Sequence, residues 1–115
     1  MTVVIFECFT DMDQTVVEML YQLRNNGYYL YVLSRVAQTQ DVLNTMNILW
    51  LFDGVLYAAP DDSWETMKKG MLMGLQAAHV GTNIHFFGDV DSIDSINVHP
   101  VHGSLIEAVQ NIFIL

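Results

Sequence analysis

Positive charge is what this sequence has least of. Four lysines and arginines stand against 13 aspartates and glutamates, a formal net charge of −9. So acidic a chain does not hold nucleic acid or an anionic membrane surface by charge. It also repels a phosphorylated ligand unless a metal ion intervenes. Cysteine is almost absent: Cys8 stands alone. That excludes an intramolecular disulfide and makes a reducing compartment the expectation. Cys8 lies within an apolar run and reads as a small core residue. No apolar stretch reaches the ~20 residues of a membrane span, and no basic segment leads into an apolar one, so a cytoplasmic chain without a signal peptide is expected. No linker, low-complexity tract or repeat divides the 115 residues, which suits one domain, 1–115.

What the chain has is apolar residues, 52% of the total, arranged in alternation. VVIFECF (3–9) reads as a strand buried on both faces. Asp13 is placed to cap a helix carrying Val16, Leu20 and Leu23 on one stripe, with Gly27 as its stop. YYLYVLS (28–34) is a second strand, and 38–47 a helix with Val42, Leu43 and Met46 apolar. FDGVLYAA (52–59) is a third strand, Pro60 to Ser63 a turn, and 64–79 a helix closed by Gly81. IHFFGD (84–89) is a fourth strand, 91–97 a short helix or loop, and 104–113 a last amphipathic helix. Strands and helices alternating at this length predict βαβ units. The expected fold is a single three-layer α/β/α sandwich with a Rossmann-like parallel sheet and no cap domain.

In such sheets ligands bind beyond the carboxyl ends of the strands. Those ends collect Glu7, Asp11, Asp13, Ser34, Asp61, Asp62, Asp89, Asp91 and Asp94. Individually, acids cap helices and fill turns. Clustered, they suit a divalent cation, and oxygen ligands with water completing an octahedron suit Mg²⁺.

The order of these pieces is more specific than their number. Acids follow strand one, with Asp11-Met12-Asp13-Gln14-Thr15 spelling D-x-D-x-T. A lone hydroxyl, Ser34, ends strand two, and Gly88-Asp89 ends strand four. This order resembles the haloacid dehalogenase (HAD) superfamily, and within it the magnesium-dependent, acid-phosphatase-like branch. LYQLRNNGYYLYVLSR, IHFFGDVDSIDSI and GSLIEAVQNI carry the likeness over nearly the whole chain. The resemblance implies a Mg²⁺-dependent phosphatase working through an aspartyl-phosphate, on a small phosphorylated molecule or a phosphoprotein. It implies Asp11 as nucleophile, Asp13 as general acid/base, Ser34 and Lys68 on the phosphate, and Asp89 with Asp94 on the metal.

Two registers compete. Aligning strand one by its start puts Glu7 at the nucleophile position, or beside the metal, and Phe9 at the acid/base position. Glu is a methylene too long for in-line attack, and Phe9 carries no proton. The chain is then a catalytically inactive relative, a binding or interaction module that keeps a cation site. Shifting by four restores Asp11 and Asp13, but the same residues are needed to turn the chain and cap the first helix. The family's lysine belongs just after the Pro60 turn. Here the first bases are Lys68 and Lys69, and Lys68 reads as part of a solvated helix face. Gly88 stands where the family has an acid.

Among the remaining features, His99-Pro-Val-His102 reads as two loop histidines near the rim rather than a zinc site, since proline breaks the helix that would align them. His85 points outward or packs, and His79 sits at a helix end. Seven methionines, with Trp50-Leu51-Phe52 and Trp64, suggest an apolar patch and a homodimer.

Overall fold

Four consecutive buried residues, Val3 to Phe6, need protein on both faces, and the chain supplies it. The computed structural model describes residues 1–7, 13–58 and 63–113. Within these, β1 (Thr2–Glu7) is the middle strand of a five-stranded sheet of order β3-β2-β1-β4-β5. Its partners are β2 (Tyr29–Ser34) and β4 (Asn83–Phe87), with β3 (Gly54–Tyr57) and β5 (Ile96–His99) at the edges, and every pairing is parallel. Four helices are described: α1 (Gln14–Asn25), α2 (Thr39–Thr45), α3 (Trp64–Ala78) and α4 (Leu105–Gln110).

Successive side chains of a strand alternate between faces, and the core divides accordingly. Val4 and Phe6 join a cluster with Val16, Leu20 and Leu23 of α1, Leu43 of α2 and Val109 of α4. Val3 and Ile5 join the other, with Trp64, Leu72 and Leu75 of α3 and Ile93. Right-handed crossovers explain the split. The chain steps one way from β1 to β2 to β3, so α1 and α2 share a face. It then steps back across the sheet to β4, which puts α3 on the opposite face. The expected α/β/α sandwich with a parallel sheet is what forms.

α1 begins and ends as its sequence predicts. The Asp13 carboxylate accepts the Val16 N–H at 3.0 Å, satisfying a donor left free in the first turn. Gly27 stops the helix at φ 82°, a left-handed conformation that suits glycine. Two segments differ from expectation. Residues 91–95 take the loop form of the expected helix or loop, but β5 starts at Ile96, so 96–97 are strand and His99 is a strand residue and not a loop one. The entry to β3 is a single 3₁₀ turn, Leu49–Leu51, with β3 itself only four residues long. No helix among the described residues is long and apolar enough to cross a membrane.

Candidate functional site

The strand order reverses direction between β1 and β4, and there the chain can splay apart to make room for a ligand. A cleft of about 650 Å³ opens at this point. Glu7 from β1, Asp13 and Val16 from the start of α1, Phe87 at the end of β4 with Gly88 and Asp89 after it, and residues 100–106 up to the first turn of α4 line it. The topology thus delivers Glu7, Asp13 and Asp89 to one cavity, as their positions in sequence predict.

Register places them. Glu7 is the last residue of β1 and pairs with Leu33, while Phe6 pairs with Phe87. Glu7 therefore lies one residue short of Ser34 on one side and level with Gly88 on the other. Gly88 is glycine for a steric reason: a Cβ there would meet the Glu7 Cβ at 2.7 Å and the Phe86 ring at 2.7 Å. Cys8, Asp11, Pro60, Asp61 and Asp62 lie outside the described residues, and with them the Asp11 register.

The central electrostatic feature is Lys68. Far from lying on a solvated helix face, it is 1% exposed, a correction to the sequence reading. Its ammonium sits 2.6 Å from Glu7 Oε1 and 3.0 Å from Glu65 Oε1. Glu7 Oε1 is itself shielded from solvent and receives no aligned hydrogen bond, so charge holds the pair. Trp64, one helical turn before Lys68, lies 5.7 Å from the ammonium and 5.4 Å from the Arg35 guanidinium, measured to its ring centre. Both cations are within reach of its π-face. Burial pushes the Lys68 amine down, but Glu7 and Glu65 outweigh that and hold it above the ordinary lysine value. The spacing Trp64-Glu65-x-x-Lys68 carries the two local partners in sequence, at i+3 and i+4, but not the burial or the pairing with Glu7.

Other predicted residues are engaged elsewhere. Ser34 is fully buried. Its hydroxyl meets Thr39 Oγ1 at 2.6 Å, donates to the Val36 carbonyl at 3.2 Å and accepts from the Val36 N–H at 2.9 Å. It ties the end of β2 to the start of α2 and does not face the cleft. Asp94 is not at the rim. It precedes Ile96, which pairs with Ile84, which pairs with Val3, so about four residues of strand, roughly 13 Å, separate its level from Glu7. Its carbonyl accepts from Gln76 near the far end of α3. Trp64, Leu51 and Phe52 are core residues rather than patch, whereas Trp50 is exposed and packs on Tyr21.

Comparison with protein-family models, curated proteins and solved structures found no match. The chemistry of the cleft therefore rests on its own residues.

Those residues do not make a Mg²⁺ site by themselves. No group of three His, Cys, Asp or Glu side chains among the described residues is arranged to hold a metal ion. A Mg²⁺ ion would take oxygen ligands in an octahedron. Glu7 is instead engaged by an ammonium, Asp13 by a helix N–H, and Asp94 lies at the other end of the sheet.

Proposed function

We propose that this chain is a non-catalytic binding domain on an HAD-like scaffold, using the cleft between β1 and β4. The observation that carries this reading is the Glu7–Lys68 pair. In the HAD-type arrangement that the sequence resembles, a strand-one carboxylate attacks phosphorus and a lysine neutralises the phosphate. Here the carboxylate at the end of β1 and the lysine of α3 neutralise each other at 2.6 Å. A pair of this kind does not separate cheaply, because the buried ammonium would be left with only the exposed Glu65 to compensate it. Ser34, the residue for a phosphate oxygen, is closed into the β2–α2 connection. An anion entering the cleft meets Asp13 and Asp89 and no free ammonium among the described residues. The cleft favours a cationic group, an amine or guanidinium on a small molecule or protein.

The phosphatase reading keeps one specific support. Lys68 does reach back to the end of β1, the place the family's lysine occupies in function. In that reading Asp11 attacks and Asp13 protonates the leaving group. Two measurements separate the readings. Hydrolysis of an aryl phosphate with Mg²⁺ is expected to equal the blank for the parent. Turnover that disappears in Asp11→Asn overturns the binding reading. A titration with the polyamine spermidine, followed by amide shifts, is expected to move Glu7, Gly88 and Asp89 selectively; shifts spread evenly over the acidic surface would remove the cleft from consideration.

A further inference from the structure

Two histidines far apart in sequence meet on the face of the sheet that α4 covers. His85 is the third residue of β4 and His99 the last of β5. Ile84 and Phe86 belong to the α3-side core and Phe87 to the other, so alternation turns His85 toward α4. His85 Nδ1 lies 2.9 Å from His99 Nε2. The ring planes differ by only 12° and their centres are 5.1 Å apart. That separation is what a 2.9 Å N···N contact gives when two imidazoles lie end to end, nearly in one plane. The pair is an aligned N–H···N hydrogen bond rather than a face-to-face stack.

The C-terminal segment is docked on this pair. Phe113 meets His85 edge-on at 5.0 Å, packs on Phe87 at 6.2 Å and reaches Tyr28 at 5.3 Å. His99 in turn stacks on Phe87 at 4.8 Å. Both imidazoles are half-buried, and no carboxylate pairs with either among the described residues. The only charged side chain of α4, Glu107, is exposed. His102 in the loop before α4 is exposed too. On α1, which packs on α4, the charged residues are Glu18 and Arg24, and Arg24 is engaged by Asp53. Tyr28 stands against Phe113.

A hydrogen-bonded pair of imidazoles accepts two protons in unlike ways. The first adds to an outer nitrogen and leaves the shared N–H···N intact. The second has to occupy the accepting nitrogen, which turns two N–H groups and two positive charges toward each other.

We propose that His85 and His99 form an acid-sensitive latch that holds α4 and Phe113 on the sheet and releases them on double protonation. Direction follows from environment. Burial, and for His85 also the neighbouring His99, pushes both below the ordinary histidine value. The docked state therefore binds fewer protons than the released one, and docking weakens as pH falls below about 6.5. Residues 100–106 wall the cleft, so release also opens that wall. This last consequence rests on the binding reading, whereas the latch does not.

Amide hydrogen exchange of the full chain, expressed as protection factors at pH 7.5 and 5.0, tests the latch. Protection in residues 105–113 is expected to fall at least tenfold, the effect of one linked proton over one pH unit, while β1 and β2 keep theirs. His85→Gln and His99→Gln are expected to remove the pH response, whereas His79→Gln and His102→Gln keep it. Should the pair variants fail to fold, imidazole titration of the parent decides. The latch requires two coupled transitions, the second coinciding with loss of α4 protection. Independent titration of both histidines at the ordinary value, protection of α4 that does not change with pH, or loss of β1 and β2 protection in step with α4 would each overturn it.

Discussion

The two ends of the sheet use their ion pairs in opposite ways. At the amino end, Asp53 accepts from Arg24 at 2.7 Å and from the Leu30 N–H at 2.9 Å, fixing the entry to β3 against β2. Tyr31 shares a 2.8 Å hydrogen bond with His79 at the end of α3, and Gln76 reaches Asp94. Each contact staples one connection to the next, and its charged members keep access to water. At the carboxyl end, an ammonium is almost wholly buried between Glu7, Glu65 and Trp64. A fold of this class does not require a buried lysine, since an apolar residue of similar volume is commonly as good or better for stability. The ion pair at the amino end holds elements together within reach of water; the one at the carboxyl end buries an ammonium, burdens the fold and marks the site.

The sharpest way to break that contrast is to unpair Lys68. Glu7→Gln leaves the ammonium buried with only the exposed Glu65 beside it. A broken buried pair costs about 3–5 kcal/mol; because Glu7 is partly exposed and Glu65 remains, about 2–4 kcal/mol is expected, measurable by denaturant unfolding. Replacing both partners, Glu7→Leu with Lys68→Leu, is expected to recover most of the loss. A double variant as unstable as the single one would mean that packing, not charge, holds this corner. The sign with pH follows as well. Lys68 is raised in the folded state, so its contribution is fully present below the unfolded lysine value of ~10.4. It is lost as pH rises through the higher folded value. Lys68→Met is expected to flatten the alkaline fall in stability. Tyr31, raised by burial and then by Asp53 and Tyr29, leaves a residual fall of the same sign.

How much of this was legible in the sequence depends on whether the information was local. The Asp13 cap and the Gly27 stop were readable because each is decided within a few residues. The parallel sheet followed from alternation. β5 was missed because Ile96-Asn97-Val98-His99 is four residues long and ends beside a proline, which looks like loop. Lys68 was misassigned because helical position alone does not reveal a partner 61 residues earlier in the chain. Asp94 was grouped with Asp89 because proximity in sequence hides the fact that the chain between them must run back along the sheet to start β5. Ser34 was correctly placed at a strand end, but its neighbour Thr39 closes it off from the cleft. Long-range pairing and connection direction account for Lys68 and Asp94; for β5 and Ser34 the deciding contacts are short-range but carry no distinctive residue pattern.

Next in size is the amino end. Asp53→Ala removes the acceptor for both Arg24 and the Leu30 N–H. The ion pair is partly solvated and contributes little alone, so most of the effect comes from the unpaired backbone donor, about 1–2 kcal/mol. Asp53→Asn retains an acceptor oxygen for the Leu30 N–H and is expected to recover part of it. Neither substitution is expected to change the spermidine response of the cleft. An effect on that response as large as that of Glu7→Gln would erase the distinction between the ends.

The smallest effect distinguishes structure from chemistry at a single residue. Asp13 lines the cleft and also caps α1 through the Val16 N–H. As a cap, its replacement by Ala costs about 1 kcal/mol, and Asp13→Ser or Asp13→Asn restores nearly all of it, because either side chain supplies the oxygen that the helix end needs. As a proton donor to a leaving group it would tolerate neither, since neither carries an ionisable proton in the working range. Urea unfolding and ligand binding measured on the same three variants therefore separate the roles. Stability that tracks capping strength, with spermidine binding weakened equally in all three by the loss of one negative charge, is the expected pattern. A variant that restores the helix yet abolishes an aryl phosphatase activity present in the parent would show Asp13 acting in chemistry and return D-x-D-x-T to the centre of the molecule.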